Sequence, residues 1–343
     1  MSEKIVRTEE MFTVSEGYFH SSDKMHDIFY RVYRPAGEPK AIVQIAHGMC
    51  EYIGRYDGFM SYLAEKGYIV CGNDHLGHGQ SVYDDEELGY FADKEGWQKV
   101  VLDMHRMTTI VRRAYPDKPF FVFGHSMGSF LTRAYITKFG RTIDGAVICG
   151  TSGGVDGAPM LLTVCDGIKA AKGGYYRSER INKMAFGAYL SEIPDPRTPY
   201  DWISRDEEIV DKYAKDKLCT FIFTINGFEN LTKVLWYVSN EKWFDSYPKE
   251  LPTYLIAGSA DPVGDYGKGV LRVYNKLRTR DADVELKIYS GARHELLNEI
   301  NRGEVYEDVL AFYEPLVEKW EEEHRAEKPW ENEEEQESSE GDE

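Results

Sequence analysis

The chain has 343 residues, with 41 Lys and Arg against 59 Asp and Glu, a net charge of −18, and 42% apolar residues. That much apolar content buries a real core, which excludes general disorder. The acidic balance disfavours nucleic acid and anionic membrane surfaces, because phosphates are held by clustered Lys and Arg.

Residues 1–10 are charged and hold no apolar segment, so they do not read as a signal peptide. No 18 apolar residues run uninterrupted, so no transmembrane segment is expected and the expected location is cytoplasmic. The cysteines at 50, 71, 149, 165 and 219 are widely spaced, odd in number and form no Cys-x-x-Cys pair. They are expected to be buried free thiols in a reducing compartment.

Residues 11–14 and 28–33 are strand-like with no helix between them, which predicts an antiparallel pair at one edge of a sheet. From about residue 40, strands and helices alternate. Residues 41–46 form an apolar, β-branched strand, residues 56–66 a helix closed by Gly67, and residues 68–71 a second strand. Trp97, Val100, Met104, Met107 and Val111 recur every three or four residues, one face of a helix that Pro116 stops. Strand 120–123, helix 129–139 and strand 146–149 follow. The rhythm breaks at about Thr151 and resumes with strand 253–257, helix 268–277, strand 284–289 and a long helix over 305–320.

This alternation predicts an α/β fold, a mostly parallel sheet with helices on both faces. The expected division is a core of residues 1–151 and 250–320, with residues 152–249 inserted as a helical cap over the strand ends. Residues 321–343 hold 12 acidic and 2 basic residues and no aliphatic side chain but Ala326. They are expected to be a disordered, solubilising tail.

The chemistry begins at Gly124-His125-Ser126-Met127-Gly128, between a strand and the helix after it. This is Gly-x-Ser-x-Gly in the strand–turn–helix setting that lifts a serine hydroxyl above a sheet. A serine hydroxyl needs a base to become a nucleophile. In this order the acid and then the base follow the serine. Only His294 and His324 lie beyond the last candidate strands, and His324 sits at the charged helix end, so His294 is the expected base. Two acids are available after strand 253–257, Asp261 and Asp265. Asp261 is nearer the strand end and is preferred. The oxyanion hole needs two backbone N–H groups. Met127, next to the serine, supplies one. Met49, in the loop His47-Gly48-Met49-Cys50, is the expected second.

With these residues in view, the chain resembles the monoacylglycerol lipase and lysophospholipase group of serine α/β-hydrolases. The motifs are His47-Gly48-Met-Cys-Glu51-Tyr-Ile-Gly54-Arg55-Tyr56, Asp74-His-Leu-Gly77-His78-Gly79-Gln80-Ser81, Gly124-His-Ser126-Met-Gly128, and Gly258-Ser-Ala-Asp261 with His294. The resemblance implies an α/β-hydrolase fold with an inserted cap and a Ser126–His294–Asp261 triad that needs no cofactor or metal. It implies that Glu51 and Arg55 shape the substrate pocket near the leaving group, although a structural ion pair at a helix start explains them equally. His75 and His78 alone are too few ligands for a metal. The group's monoacylglycerol-preferring members often carry a second histidine three residues after the base, and here that residue is Leu297.

Cap aromatics, among them Tyr175, Tyr189, Trp202, Phe223 and Phe228, suit an acyl tunnel or the cap's own core. Residues 158–164 suit a transient, apolar membrane contact. The expected activity is hydrolysis of a single-chain acyl ester, of monoacylglycerol or lysophospholipid type. The alternatives are a broad carboxylesterase, or an aminopeptidase or amidase that would need an acidic subsite drawn from Glu51, Glu192 or Asp195.

Overall fold

The computed structural model describes residues 3–325. Among these residues nine strands form one sheet in the order β1-β2-β3-β5-β4-β6-β7-β8-β9. The central strands are β4 (Ala41–Ala46), β5 (Tyr68–Asn73), β6 (Phe120–His125), β7 (Gly145–Cys149), β8 (Thr253–Gly258) and β9 (Val284–Tyr289), all paired in parallel. The expected edge pair is β2 (Phe12–His20) and β3 (Asp27–Pro35), antiparallel over nine residues. The charged start adds β1 (Lys4–Thr8) outside them, almost wholly exposed. An edge strand with no buried face has no apolar alternation, so nothing in residues 4–8 announced it.

The central strands read as continuous apolar runs because both their faces are covered. Ile42 of β4 packs with Val100, Met104 and Leu131, from α2 (Gly96–Ala114) and α3 (Met127–Phe139). Its neighbour Val43 points the other way, onto Phe59 of α1 (Asp57–Glu65) and Val309 and Tyr313 of α10 (Arg302–Arg325). The period-two alternation of a strand thus assigns each residue to one of two cores. The last helix runs on through Arg325, so residues 321–325, expected in the tail, are helical. Residues 326–343 of that expected tail lie outside the described residues.

Between β7 and β8 the chain inserts α4 (Ala158–Lys172), α5 (Glu179–Phe186), α6 (Glu207–Lys215), α7 (Ile225–Ser239) and α8 (Glu241–Asp245). Most of the insert's apolar packing is continuous with the main core. Phe223, Ile225, Phe228, Val234 and Trp243 join the cluster beneath α2 and α3. A small separate cluster holds Ile203, Val210, Tyr213 and Cys219. Arg133 of α3 fastens the insert at both ends. Fully buried, it donates to Thr151 Oγ1 and Ser152 O after β7 and to Val238 O at the end of α7, and it lies over the Trp243 ring. α9 (Lys268–Arg278) crosses between β8 and β9. Every cysteine is buried and free, as expected. Among the described residues no helix is long and apolar enough to cross a membrane.

Candidate active site

Ser126 sits between β6 and α3 with φ 53° and ψ −121°. That region is costly for a residue with a Cβ and persists only where the surroundings enforce it. They do so through close packing. A Cβ at Gly128 would lie 2.0 Å from Ala46 O, and one at Gly124 would lie 2.6 Å from Gly128 O. The two glycines let α3 press on the ends of β4 and β6. The Ser126 N–H donates to Cys149 O (3.0 Å) and its own carbonyl accepts from Ser129 N–H (2.8 Å), which pins the turn.

His294 and Asp261 reach the same place from the ends of β9 and β8. Their Nδ1 and Oδ1 are 2.9 Å apart, and both side chains are buried. Val263 N–H donates to the same Oδ1 (2.9 Å) and holds the carboxylate in position. Asp265 is exposed and lies 3.7 Å from Arg272 instead. The structure thus brings Asp261, and not Asp265, to the imidazole. His324 is exposed on α10, bonded to Trp320 O.

The loop after β4 passes directly over Ser126. A Cβ at Gly48 would meet the Ser126 Cβ at 3.0 Å, so only glycine allows this approach. The Gly48 N–H is consumed by Glu51 Oε1. Among the described residues the Met49 N–H has no protein acceptor. Nor does that of Met127, which as the first residue of α3 has no intrahelical one. These two amides flank the serine.

Behind the serine lies a polar network that sequence reasoning placed only in part. Glu51 accepts at Oε1 from Gly48 N–H, Tyr56 OH (2.8 Å) and His125 Nδ1 (3.1 Å), and at Oε2 from Arg55 (3.0 Å). Arg55 makes a two-pronged pair with Glu295, both contacts 2.7 Å. Four donors occupy Glu51, so the pair turns inward. The ion-pair alternative for Glu51 and Arg55 describes this geometry, extended by Glu295, His125 and Tyr56. His125 Nε2 faces His294 O (3.2 Å), which can only accept, so Nε2 carries hydrogen. Nδ1 faces both Glu51 Oε1 and the Tyr56 hydroxyl, each at 3.1 Å. Burial alone would lower the His125 pKa, but the hydrogen bond and charge of Glu51 outweigh it and leave the pKa raised. Glu51 and Glu295 face Arg55, with the His125 ring beside Glu51, and charges buried this way need one another. The signals available in the sequence were the histidine inside Gly-x-Ser-x-Gly and the acid directly after the base.

His47, His75 and His78 pack together below the loop, with His47 and His75 ring centroids 4.1 Å apart. His47 Nε2 accepts from His75 N–H (2.8 Å), and His78 is enclosed by Phe91, Phe221 and Phe223. Burial lowers the pKa of His47 to about 4 and of His78 to about 3, and takes His75 well below its usual value. A histidine held neutral in the fold takes up its proton on unfolding, so stability falls as pH drops below about 6.5. Each contributes up to about 1.4 kcal/mol per pH unit, until its folded value is reached. Asp74 and Asp103, raised by burial to about 6, work in the opposite sense over part of this window. His78→Phe therefore isolates one histidine. The slope of unfolding free energy against pH, measured by urea titration between pH 6 and 4, should become shallower by about 1.4 kcal/mol per unit. An unchanged slope would mean that His78 is protonated in the folded chain.

Comparison with known proteins places this geometry. The model of the family described as Serine aminopeptidase, S33, matches residues 37–301. The monoglyceride lipase of Mus musculus is 28% identical over 291 residues, covering 82% of this chain and 84% of its own. The monoacylglycerol lipase of Mycolicibacterium smegmatis is 26% identical, over 83% of this chain and 92% of its own. A thermostable carboxyl esterase from Bacillus coagulans, solved with glycerol, superposes with a TM-score of 0.84 at 34% identity, over 89% of this chain and 99% of its own. The match to the family model covers most of the chain and includes the serine turn, the histidine and the aspartate, so the chain belongs to the serine aminopeptidase S33 family of α/β-hydrolases and is a serine hydrolase of the group that holds the monoglyceride lipases.

Proposed function

We propose that this serine ester hydrolase cleaves the carboxylic ester of a single-chain acyl lipid through an acyl-enzyme on Ser126. The observation that carries the reading is the His294–Asp261 pair beside the serine turn, the His294 ring 4.7 Å from that of His125, which precedes Ser126, together with the open amides of Met49 and Met127. Ser126 Oγ attacks the ester carbonyl while His294 Nε2 takes its proton. Asp261 keeps the Nδ1 proton directed at itself and stabilises the cation that forms. The two amides hold the oxyanion. His294 then returns the proton to the departing alcohol, and water, activated by the same imidazole, releases the acid.

Glu51 and Arg55 act in this reading as positioning residues. Glu51 ties the Gly48 amide to His125, so one carboxylate couples the oxyanion loop to the serine turn and, through His294 O, to the base. The lipid substrate is supported by the names of the lipase relatives and by Trp202, whose ring lies 5.2 Å from His294. On α4, Met160 and Val164 are exposed, which suits a passing contact with a lipid surface. The aminopeptidase reading draws on the family description, but Glu51, its best-placed carboxylate, is fully occupied.

Chromogenic esters varied from acetate to dodecanoate on one alcohol test this reading. Each buried methylene contributes up to about 0.8 kcal/mol, roughly fourfold in kcat/KM. Activity should therefore climb steeply with chain length. Leu297 is buried in the core beside Tyr56 and offers no polar group to a glycerol hydroxyl. A monoacylglycerol and the matching simple alkyl ester should accordingly differ by less than about tenfold. A flat response to chain length, or faster cleavage of amino-acid anilides than of any ester, would overturn the lipid assignment.

A further inference from the structure

His294 stands in the loop between β9 and α10, outside any regular element. Three consecutive N–H groups of that loop bond away from the sheet. Arg293 N–H donates to Glu299 Oε1 (2.8 Å), His294 N–H to Trp202 O (3.4 Å) and Glu295 N–H to Ile203 O (2.7 Å). Trp202 and Ile203 belong to the insert. From the same loop Arg293 Nη1 reaches Asp201 O (2.6 Å) and Ser204 O (2.9 Å), and Asn298 O accepts from Ser204 Oγ (2.9 Å). Residues 201–204 of the insert thus form a seam along the backbone that carries the base. The imidazole itself lies 5.2 Å from the Trp202 ring of the insert and 4.7 Å from the His125 ring of the core, so both bodies bear on it.

Glu299 closes the seam. Its side chain is fully buried, and each carboxylate oxygen takes two donors. Oε1 accepts from the N–H groups of Arg293 and Arg205 (3.2 Å), and Oε2 from Arg205 Nε (2.9 Å) and Ile300 N–H (3.0 Å). One carboxylate therefore holds the residue directly before the base together with the backbone and the guanidinium of Arg205. Arg205 Nη2 adds Asn301 Oδ1 (2.8 Å), which fixes the arginine at its far end. A buried carboxylate is stable only where its oxygens are filled and a cation faces it, so the two segments are held in one register. We propose that Glu299 and Arg205 are positioning residues for the reaction: they lock residues 201–206 of the insert to the loop that carries the base, and so set where the His294 imidazole stands. The inference rests on the ester-hydrolase reading, in which His294 is the base. A reacting group misplaced by about an ångström can lose about a hundredfold in rate, even when the change is remote from the chemistry. An amide cannot replace this carboxylate, because whichever oxygen becomes NH2 then faces two donor hydrogens.

The test measures kcat and KM for p-nitrophenyl butyrate, together with the thermal midpoint and the low-field proton resonance of the His294–Asp261 hydrogen bond, assigned by its loss in His294→Ala. Glu299→Gln should lower kcat about 10- to 100-fold, keep KM within about threefold, and shift or broaden that resonance. Arg205→Met, whose side chain is partly exposed, should lower kcat about tenfold, and the double variant should be no worse than Glu299→Gln, because both act through one link. Val111→Ala is the control for lost stability. It truncates the core in the last turn of α2, where the chain runs toward the start of β6, the end opposite the serine. It should lower the midpoint and leave kcat within about twofold. Unchanged kcat and resonance in folded Glu299→Gln, a rise in KM alone, or a loss of kcat no larger than that of Val111→Ala overturns the proposal. If Glu299→Gln does not fold, Arg205→Met decides by the same criteria. If wild type cleaves the ester and His294→Ala abolishes cleavage while both seam variants stay fully active, only this inference falls. If wild type leaves the ester intact, or His294→Ala retains turnover, the ester-hydrolase reading falls and this inference with it.

Discussion

Ser126→Ala is expected to lower ester turnover by about 10⁴-fold or more while the fold stays intact. The members of a triad act as one unit, so losing the nucleophile removes nearly all of what the three supply together. What survives is the contribution of the oxyanion amides and of binding, which do not pass through Oγ. Folding should be unaffected because the turn is held by main-chain contacts, from Ser126 N–H to Cys149 O and from Ser129 N–H to Ser126 O, and alanine keeps all of them. The conformation at φ 53° costs alanine no less than serine, so no strain is relieved. A fluorophosphonate probe should label the wild-type protein at Ser126 alone and leave the variant unlabelled. Turnover retained in the variant, or a label at another serine, would remove Ser126 from the mechanism.

Asp261→Asn should cost about 10³- to 10⁴-fold in kcat, with little change in KM. The Asp261 carboxylate accepts from His294 Nδ1 at 2.9 Å and from Val263 N–H at 2.9 Å. An amide with its nitrogen at the Oδ1 place presents N–H to Nδ1, which drives the imidazole to the tautomer that cannot accept the serine proton, and loses the Val263 contact; with its oxygen there it keeps both contacts. It also cannot stabilise the imidazolium by charge. Asp265→Asn should stay within about twofold of wild type, because an exposed carboxylate 3.7 Å from Arg272 contributes little. The two variants share a loop and a charge change, so each controls for the other. A larger loss from Asp265→Asn would mean that the loop rearranges to exchange its acids when substrate binds.

Much of this arrangement was legible in the residues themselves. The strands of the central sheet, the helix faces and the serine turn are local features, each written within about a dozen neighbouring positions. A strand buried on both faces must be continuously apolar, as residues 120–123 are. A turn that presses one helix on two strand ends must be flanked by glycine, as Ser126 is. The chain order serine, aspartate, histidine followed from these, because the strands carry the loops in sequence. What the sequence could not express is pairing between distant residues with no period of their own. The sequence preferred Asp261 to Asp265 only for its nearness to the strand end, and the path of the loop after β8 is what brings it to the imidazole. Arg55 and Glu295 are 240 positions apart, and His125 and Glu51 are 74 apart. Their charges sit together because the fold buries both ends in one low-dielectric place, where each ion must find its counter-ion within a few ångströms. The insert's aromatic residues likewise read as a tunnel or as a core with equal ease. The tertiary structure divided them by where they lie, sending Phe223 and Phe228 into the main core and leaving Trp202 over His294 with Tyr189 against it. A ring's apolar surface is the same in either place, and only the neighbours decide which it covers.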